Sequence, residues 1–433
     1  MAESAAKNNI NGTYKIAVCG CGVVGSGVCD ALLDQSEKLS RRFNRKVALS
    51  YVLDIRDLSG TRYAPYKAES LGAILEDPEV EVVTITIGGL ELASEYCFKA
   101  LEAGKHVVTS NKAVVAAHGR ELEKLAFAKG RRFMYEASVG GGIPIIRPLN
   151  ICLFANDILE IQGILNGTTN YMLTGMFRRH ASFDEMLARA QRKGYAEADP
   201  TADVDGFDAA RKIAILSSIA YGAFVDYRKI PCSGIRNIAY CDHELADKAG
   251  FTLKLLAGSR LENGKVYISV EPKLVPKGHL FSDVNSVYNA ILTKGSYTGD
   301  TLFYGQGAGK EATASAVVGD IIELISTPVT YSLPEFVNKT AVIVPDERPV
   351  RYYLRVRSAD RLGAGKVLEL FGEDAQCVNA DEALDTDDPE SGSRCMHTAG
   401  IITGRLTPVE LDALCEKLET EDCGIGIKLK VLD

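Results

Sequence analysis

The sequence of 433 residues lacks the features that would direct it across or into a membrane. No stretch approaches 18 consecutive apolar residues, so the sequence predicts no membrane-spanning helix. The N-terminal residues 1–10 carry one lysine, and they have neither the apolar core of a secretory signal nor an arginine-rich transit pattern. These absences favour a cytoplasmic protein.

Paired cysteines and clustered positive charge are also missing. The eleven cysteines are scattered and include no Cys-x-x-Cys pair, which argues against a zinc ribbon or a disulfide framework and favours free thiols. The formal net charge is −8, and basic residues form only short pairs such as Arg41–Arg42. We therefore expect neither nucleic acid nor an anionic membrane as a partner.

The first 145 residues alternate between short apolar runs and helical patterns. Such alternation predicts an α/β domain in which a Rossmann-type, doubly wound parallel sheet is covered by helices on both faces. The expected strands are 14–19, 47–54, 80–87, 106–109 and 132–135, and the expected helices are 23–33, 67–76, 91–103 and 115–129.

The remainder of the chain has mixed patterns, which predict a second, α+β domain and a small C-terminal α+β domain. Strands are expected at 158–164, 266–270, 352–356 and 425–432, and helices at 182–193, 206–222, 284–293, 311–326 and 407–419. The segment Val344–Pro349 is typical of a linker. The expected domains are 1–146 together with 306–340, then 147–305, then 350–433.

The segment Gly20-Cys-Gly-Val-Val-Gly25 is a G-x-G-x-x-G motif between a strand and a helix, the context in which this motif binds a dinucleotide. Its glycines would allow a tight turn, an approach of the pyrophosphate and close packing of helix on strand. A tight turn without a ligand is the alternative. Asp54, at the end of the second strand, suits the ribose of NAD, whereas Arg56 suits the 2′-phosphate of NADP; we favour NADP.

Lys212 lies in the centre of an apolar helical stripe. Within the helix expected at 206–222, the stripe also contains Ala209 and Leu216, and Asp208 precedes the lysine by one turn. A surface ion pair is the usual meaning of this spacing. Burial of a lysine is costly, however, which indicates a functional group able to act as a general acid or base.

A loop with several carboxylates precedes this helix. Glu197, Asp199 and Asp203 lie within ten residues of one another. They suit a substrate that carries an ammonium group, and a solvated acidic loop is the alternative.

Six stretches of the chain, in this order, together resemble homoserine dehydrogenase over about 300 residues. They are Gly20–Gly25, Ser110-Asn-Lys112, Glu136–Pro144, Gly163-Ile-Leu-Asn-Gly-Thr-Thr-Asn170, Gly194–Lys212, and Gly305–Gly309 followed by Thr313. The resemblance implies hydride transfer between a nicotinamide and a carbonyl carbon, which interconverts L-aspartate 4-semialdehyde and L-homoserine in threonine and methionine biosynthesis. It also implies a homodimer or a larger homo-oligomer.

The resemblance assigns roles residue by residue. Lys212 is expected to deliver the proton, Asp208 to pair with it, and Lys112 to lie between nicotinamide and substrate. The residues expected to bind the substrate are Glu197, Asp203, Asp208 and Thr168. Those expected to bind the cofactor, NADP or NAD, are Gly20, Gly22, Val23, Val24, Gly25, Arg56, Gly88, Lys112, Gly194 and Gly309.

The resemblance also implies a monovalent cation, sodium or potassium, in the segment 136–143. The Glu136 carboxylate and the main-chain oxygens of Val139, Gly141 and Ile143 would bind it. A tight loop with positive φ at 140–142 is the alternative. The C-terminal residues 350–433 resemble an ACT regulatory domain and could bind an amino-acid effector.

Two other functions remain open from sequence alone. One is a different small-aldehyde oxidoreductase of Rossmann type, some of which use a cysteine thioester; here Cys152 lies in an apolar run and is expected in the core. The other is a nucleotide- or amino-acid-sensing protein without catalysis, against which Lys212, Asp208 and Lys112 argue.

Overall fold

The structure is a computed structural model that describes residues 12–327, 332–358, 362, 364–380, 397–420 and 423–432. The N-terminal residues 1–10, in which the sequence predicts no signal, lie outside the described residues. None of the helices within the described ranges has the length and apolar character needed to cross a bilayer. The ten cysteines in those ranges are all free thiols.

The chain divides into two compact units. The first comprises residues 1–157, 214–226 and 305–341, and the second comprises residues 158–213, 227–304 and 342–433. This grouping differs in two respects from the three domains expected from sequence. The C-terminal segment groups with the middle of the chain, and residues 214–226 group with the first unit.

The first unit is built on a five-stranded parallel sheet with strand order β2-β1-β3-β4-β5. Its strands are β1 (Tyr14–Cys19), β2 (Val47–Leu53), β3 (Val80–Ile85), β4 (His106–Thr109) and β5 (Phe133–Met134), and its helices are α1 (Val23–Asp34), α2 (Ser36–Phe43), α3 (Leu71–Glu76), α4 (Glu91–Glu102), α5 (Lys112–Ala128) and α11 (Lys310–Ser326). Strand β1 is buried except at Lys15, as expected for a parallel strand covered on both faces. The order reverses between β1 and β3, where doubly wound sheets bind ligands.

Helix α11 returns to this unit after a long excursion of the chain and packs on α1. Val317 and Ile321 of α11 are fully buried and share one apolar cluster with Val28 and Leu32 of α1 and Val18 of β1. A Cβ at Gly27 would lie 2.9 Å from the main-chain oxygen of Lys310. Glycine at this position therefore allows the two helices to approach closely.

The second unit contains a mixed sheet that is ten-stranded in the described part of the chain, with strand order β10-β9-β6-β7-β8-β15-β12-β14-β13 and β11 beside β8. Its strands are β6 (Ile158–Ile164), β7 (Phe251–Glu262), β8 (Lys265–Pro276), β9 (Tyr288–Gly295), β10 (Gly299–Gln306), β11 (Val342–Ile343), β12 (Tyr352–Ser358), β13 (Gln376–Asn379), β14 (His397–Ile402) and β15 (Gly424–Val431). Its helices are α6 (Gly167–Arg179), α7 (Phe183–Arg192), α8 (Thr201–Val204), the first half of α9 (Phe207–Tyr221), α10 (Tyr240–Lys248), α12 (Ala364–Phe371) and α13 (Pro408–Glu419).

The C-terminal elements follow the order β12-α12-β13-β14-α13-β15, a β-α-β-β-α-β arrangement. They have an apolar cluster of their own, which includes Leu354, Ile401 and Leu418. Their sheet nevertheless continues the larger one, because β15 pairs with β8 in parallel. Residues 359–361 and 363, which follow β12, lie outside the described ranges.

The helix expected at 284–293 is wrong, because residues 288–295 form β9, which pairs with β6. Ala290 and Ile291 are fully buried. A short apolar run of this kind does not distinguish a buried helix from a buried strand by its period, and the neighbouring strand decides the outcome.

Candidate active site

The glycine loop between β1 and α1 has the geometry that a dinucleotide requires. Gly20 has φ +92°, and a Cβ there would lie 2.9 Å from the amide nitrogen of Ile87. A Cβ at Gly25 would overlap the carbonyl oxygen of Gly20, whereas a Cβ at Gly22 would meet no atom within 4 Å. The first and third glycines are thus required by the fold itself. Packing within the protein does not require a glycine at position 22. The absence of a side chain there leaves the backbone amides at the start of α1 accessible to a ligand.

Asp54 and Arg56, beside this loop, form a closed hydrogen-bonded group. Asp54 Oδ2 accepts from the Cys21 amide and from Arg56 Nη2 at 2.9 Å, and Oδ1 accepts from the amide and Nε of Arg56, both at 2.9 Å. The hydrogen bond from the Arg56 guanidinium is the main cause that holds the pKa of Asp54 well below its usual range. The Asp54 side chain is buried, whereas the Arg56 side chain is 57% exposed.

The loops that follow β3 and β4 are tied to each other and to the glycine loop. Thr86 Oγ1 donates to the Gly20 carbonyl at 2.6 Å. The Asn111 amide donates to the carbonyls of Ile87 and Gly89 at 3.0 and 2.6 Å, and its oxygen caps the first turn of α5. Lys112 is the first residue of α5. The hydrogen bonds of Asn111 therefore fix the position of the helix start that carries Lys112. Sequence reasoning included Asn111 in a matching stretch but gave it no role.

The segment 139–143 packs against the loop that leads into α11. The Gly142 amide donates to the Gln306 carbonyl at 3.1 Å, and a Cβ at Gly141 (φ +56°) would overlap the Gly307 carbonyl. Gly309, with φ +120°, precedes the first residue of α11. Gly140 also has positive φ, but Gly142 does not, so the tight loop considered as the alternative to a cation site has two left-handed glycines rather than three.

The Glu136 carboxylate accepts hydrogen bonds from three backbone amides. Oε1 accepts from the amides of Ile145 and Ile146 at 2.7 and 2.9 Å, and Oε2 accepts from the amide of Arg147 at 2.6 Å. The carboxylate thus holds the backbone of residues 145–147. Its Oε2 accepts one of these three hydrogen bonds, so a lone pair remains for a cation.

In the second unit, Lys212 and Asp208 form a buried ion pair. Lys212 Nζ lies 2.7 Å from Asp208 Oδ2 and donates to the Leu165 carbonyl at 2.8 Å. Lys212 is 8% exposed and Asp208 1% exposed. The burial expected from the apolar stripe is therefore present, and α9 is buried on nearly all sides from 208 to 218. An ammonium held by a carboxylate and a carbonyl has a fixed orientation.

Asn166 is the centre of this cluster and was missed from sequence. Its amide nitrogen donates to Asp203 Oδ1 at 2.7 Å and to Asp208 Oδ2 at 2.9 Å, while its amide oxygen accepts from the Thr169 amide at the start of α6. Asn166 therefore brings together two carboxylates that would otherwise repel each other. The available signal was an asparagine directly before a helix, a common N-cap.

Thr168, Gly194 and Glu197 are the remaining residues of the second unit for which a role was expected. Thr168 Oγ1 donates to the Tyr195 carbonyl at 2.6 Å, which ties α6 to the loop that follows Gly194. Gly194 has φ +71°. Glu197 is exposed, and of its atoms the main-chain oxygen accepts from Gln191. The structure thus brings together Lys212, Asp208 and Asp203, and it leaves the Glu197 carboxylate at the surface.

Cys152 is exposed rather than buried, so the expectation that it lies in the core is wrong. It belongs to a helical turn, Pro148–Cys152, in which Ile151 is exposed as well.

Comparisons with known proteins identify relatives over nearly the whole chain. A family model described as the NAD binding domain of homoserine dehydrogenase matches residues 20–136, and a second, described as homoserine dehydrogenase, matches residues 144–322. The homoserine dehydrogenase of Lactococcus lactis is 36% identical over 94% of this chain and 96% of its own length. That of Synechocystis is 44% identical over 72% of this chain and 73% of its own length.

Solved structures agree. A homoserine dehydrogenase from Thiobacillus denitrificans has a TM-score of 0.85 and 32% identity, with 98% of this chain and 99% of that chain covered. A hyperthermophilic archaeal homoserine dehydrogenase, solved in complex with NADPH, has a TM-score of 0.61 and 26% identity over 72% of this chain and 97% of that chain.

Proposed function

The chain belongs to the homoserine dehydrogenase family, and on that premise we propose how its residues perform the reversible NAD(P)H-dependent reduction of L-aspartate 4-semialdehyde to L-homoserine. The observation that supports the assignment of roles is the buried pair of Lys212 and Asp208, which joins a proton donor to a carboxylate. The bound nicotinamide supplies the hydride, which the aldehyde carbon accepts.

Lys212 delivers the proton to the aldehyde oxygen as that oxygen becomes a hydroxyl, and removes it in the reverse direction. Asp208 and the Leu165 carbonyl direct two of its N–H bonds, and they so hold the ammonium in a fixed orientation for proton transfer to the substrate oxygen. Asp208 keeps the ammonium oriented and contacts the substrate. Lys112, at the start of α5, lies between the nicotinamide and the substrate and contacts both.

Carboxylates around Asn166 bind the ammonium group of the substrate. Asp203 is held by the Asn166 amide, and Thr168 is held through its hydroxyl by the carbonyl of Tyr195. Glu197 lies on the adjoining exposed loop, from which its carboxylate reaches the substrate ammonium. The positive charge of the substrate matches this negative local field.

We assign the preferred cofactor as NADP because Asp54 has no acceptor site left for a ribose. A carboxylate has about four lone-pair positions, and Asp54 already accepts four N–H groups, three of them from Arg56. The exposed Arg56 guanidinium suits a 2′-phosphate. Gly20, Gly22, Val23, Val24 and Gly25 hold the pyrophosphate on the backbone, in a loop whose second glycine leaves room for it.

The nicotinamide half of the cofactor contacts a separate group of positions, for which we propose Gly88, Lys112, Gly194 and Gly309. Replacement of Arg56 by alanine should raise KM for NADPH, and it should lower KM for NADH because it frees acceptor positions on Asp54 for a ribose. Arg62→Ala is the matched control, because Arg62 is exposed nearby but pairs with Asp30 and Asp34. An equal change for both cofactors in Arg56→Ala would contradict the assignment.

We propose that a monovalent cation, sodium or potassium, binds the Glu136 carboxylate and the main-chain oxygens of Val139, Gly141 and Ile143. The last three residues are buried, and within the described ranges no hydrogen-bond donor reaches their carbonyls. Buried carbonyls of this kind need a partner. Activity should rise and saturate with added KCl or NaCl at constant ionic strength. Tetramethylammonium chloride at the same ionic strength is the control. Activity that is no higher in KCl or NaCl than in this control would contradict the proposed cation.

The C-terminal residues 350–433 are proposed to be an ACT-like regulatory module that binds an amino-acid effector. Their β-α-β-β-α-β order and their own apolar cluster support this role. We also propose a homodimer or larger homo-oligomer, a cytoplasmic location and a place in threonine and methionine biosynthesis. Inhibition of turnover by L-threonine, together with sedimentation of the protein as a dimer, would support these points, and a monomer insensitive to amino acids would oppose them.

The direct test is oxidation of NADPH in the presence of L-aspartate 4-semialdehyde, with Lys212→Met compared with wild type. We expect the variant to lose about two to four orders of magnitude in kcat, the usual contribution of general acid catalysis. Lys229→Met, at an exposed lysine, is the control. A wild type without turnover that still binds NADPH would instead favour a sensing protein, and a fully active Lys212→Met would move the proton donor to Lys112.

A further inference from the structure

Lys254 of β7 is a buried lysine that the proposed chemistry does not use. It is 1% exposed, and its Nζ donates to the Val284 carbonyl at 2.6 Å and to Asn285 Oδ1 at 3.0 Å. Both oxygens are neutral. Burial, with a smaller contribution from Arg178, lowers the pKa of Lys254 to about 8. An ammonium kept in such surroundings is costly, so its position calls for a reason.

The segment 284–288 that Lys254 holds is also bound to α6. The Asn170 amide donates to the carbonyls of Val284 and Tyr288 at 3.1 and 3.0 Å. The Ser286 amide donates to Thr174 Oγ1 at 3.0 Å, and Ser286 has φ +61°, a conformation that a non-glycine residue adopts only when its surroundings enforce it.

The same segment touches the first turn of α6. A Cβ at Gly167 would lie 2.9 Å from the Val287 carbonyl, so the backbone of the helix start rests on the backbone of the segment. Asn166 lies immediately before Gly167 and donates to Asp203 and Asp208. A shift of the segment would therefore move the residue that aligns the two carboxylates.

We propose that Lys254 is a positioning residue for the substrate site. It clamps the segment 284–288 beneath the first turn of α6, and this clamp holds Asn166 and, through Asn166, the pair of Asp208 and Lys212. The inference rests on the proposed function, because it assigns substrate binding to the cluster around Asn166. Nothing in it involves the glycine loop at 20–25.

The test replaces Lys254 by methionine, which keeps the unbranched chain and removes the charge and the donors. Misplaced catalytic groups cost up to about a hundredfold, so we expect kcat/KM for L-aspartate 4-semialdehyde to fall about ten- to a hundredfold. Most of the loss should lie in KM for the aldehyde. The Kd for NADPH, from its fluorescence, should stay within about twofold.

Lys273→Met is the matched control. Lys273 faces Lys254 directly across the β7–β8 ladder, but its ammonium pairs with Glu271 at 3.3 Å. The same substitution there should leave KM for the aldehyde unchanged. If Lys254→Met fails to fold, Asn285→Ala removes one acceptor of the clamp at a half-buried position and should raise KM for the aldehyde alone.

The outcomes separate the two proposals. A wild type without turnover overturns the proposed function, and the positioning role with it. An active wild type together with a folded Lys254→Met of unchanged aldehyde KM, or one that loses NADPH affinity to the same extent, overturns only the positioning role. A selective loss for the aldehyde supports it.

Discussion

The glycine loop allows a prediction that separates a dinucleotide site from a mere tight turn. Gly22 has φ −66° and ψ −154°, values that alanine can adopt, and a Cβ there meets no protein atom within 4 Å. Gly22→Ala should therefore leave the stability of the cofactor-free protein unchanged or raise it by up to about 1 kcal/mol, since alanine restricts the unfolded chain. The new methyl group would occupy the space that a pyrophosphate needs.

Gly25→Ala provides the opposite case. Its Cβ would overlap the carbonyl oxygen of Gly20, which also accepts from Thr86 Oγ1 at 2.6 Å. Backbone cannot move aside as a flexible side chain can. Overpacking of this kind costs about 1–3 kcal/mol, and the cost falls on the protein before any cofactor binds.

The measurement is unfolding of both variants by urea without cofactor, followed by titration of NADPH fluorescence. Gly22→Ala should weaken NADPH binding by at least about tenfold, or about 1.4 kcal/mol, at undiminished stability. Gly25→Ala should lower the unfolding midpoint. A Gly22→Ala protein that binds NADPH as tightly as wild type would refute the assignment of this loop to the pyrophosphate.

Three further changes test the surrounding network. Asn166→Ser keeps an N-cap for α6 but removes the amide donors. It should therefore lose as much kcat/KM as Asn166→Ala does, but its free energy of unfolding in urea should be about 1 kcal/mol higher than that of Asn166→Ala. Because Arg56 lowers the pKa of Asp54, the ionised Asp54 stabilises the fold above its unfolded-state pKa of about 3.9 and loses this effect as the pH falls towards the folded-state pKa. Asp54→Asn should thus be less stable than wild type at pH 7, with a difference that shrinks below about pH 4; a constant difference would contradict the sign. Tyr353→Phe removes the hydroxyl that donates to the buried Asp242 at 2.8 Å and should cost roughly 1.5–3 kcal/mol of unfolding free energy, whereas an unchanged urea midpoint would contradict that contribution.

Local signals were sufficient for much of the first unit and for the buried pair of Lys212 and Asp208. The strands at 14–19 and 106–109 were predicted with the bounds that the structure has, because buried parallel strands are short apolar runs between glycines and helices. The burial of Lys212 followed from the helical period alone. Each of these predictions depends on residues within about one helix or strand of each other.

The residues that organise the site were harder to find, because their roles depend on contacts between distant parts of the chain. Asn166 and Asn111 each carry one local signal, an N-cap, and that signal was available. Their second contacts, with Asp208 and with the loop at 87–89, join segments more than 20 residues apart. Lys254 was overlooked for the same reason, since its contacts lie 30 residues further along the chain.

The joining of the C-terminal strands to the larger sheet shows what pattern alone leaves undecided. Strand β15 has the alternation of a strand with one exposed face, which is equally consistent with the edge of a separate small domain. It instead pairs with β8 at Lys430–Lys273 and Val431–Leu274, and β8 pairs along its whole length with β7, the strand that carries Lys254. A free sheet edge accepts whichever strand reaches it, so only the assembled fold could reveal this continuity. An effector that shifted β15 would therefore act through main-chain hydrogen bonds on β8 and β7, without the need for a hinge between separate domains.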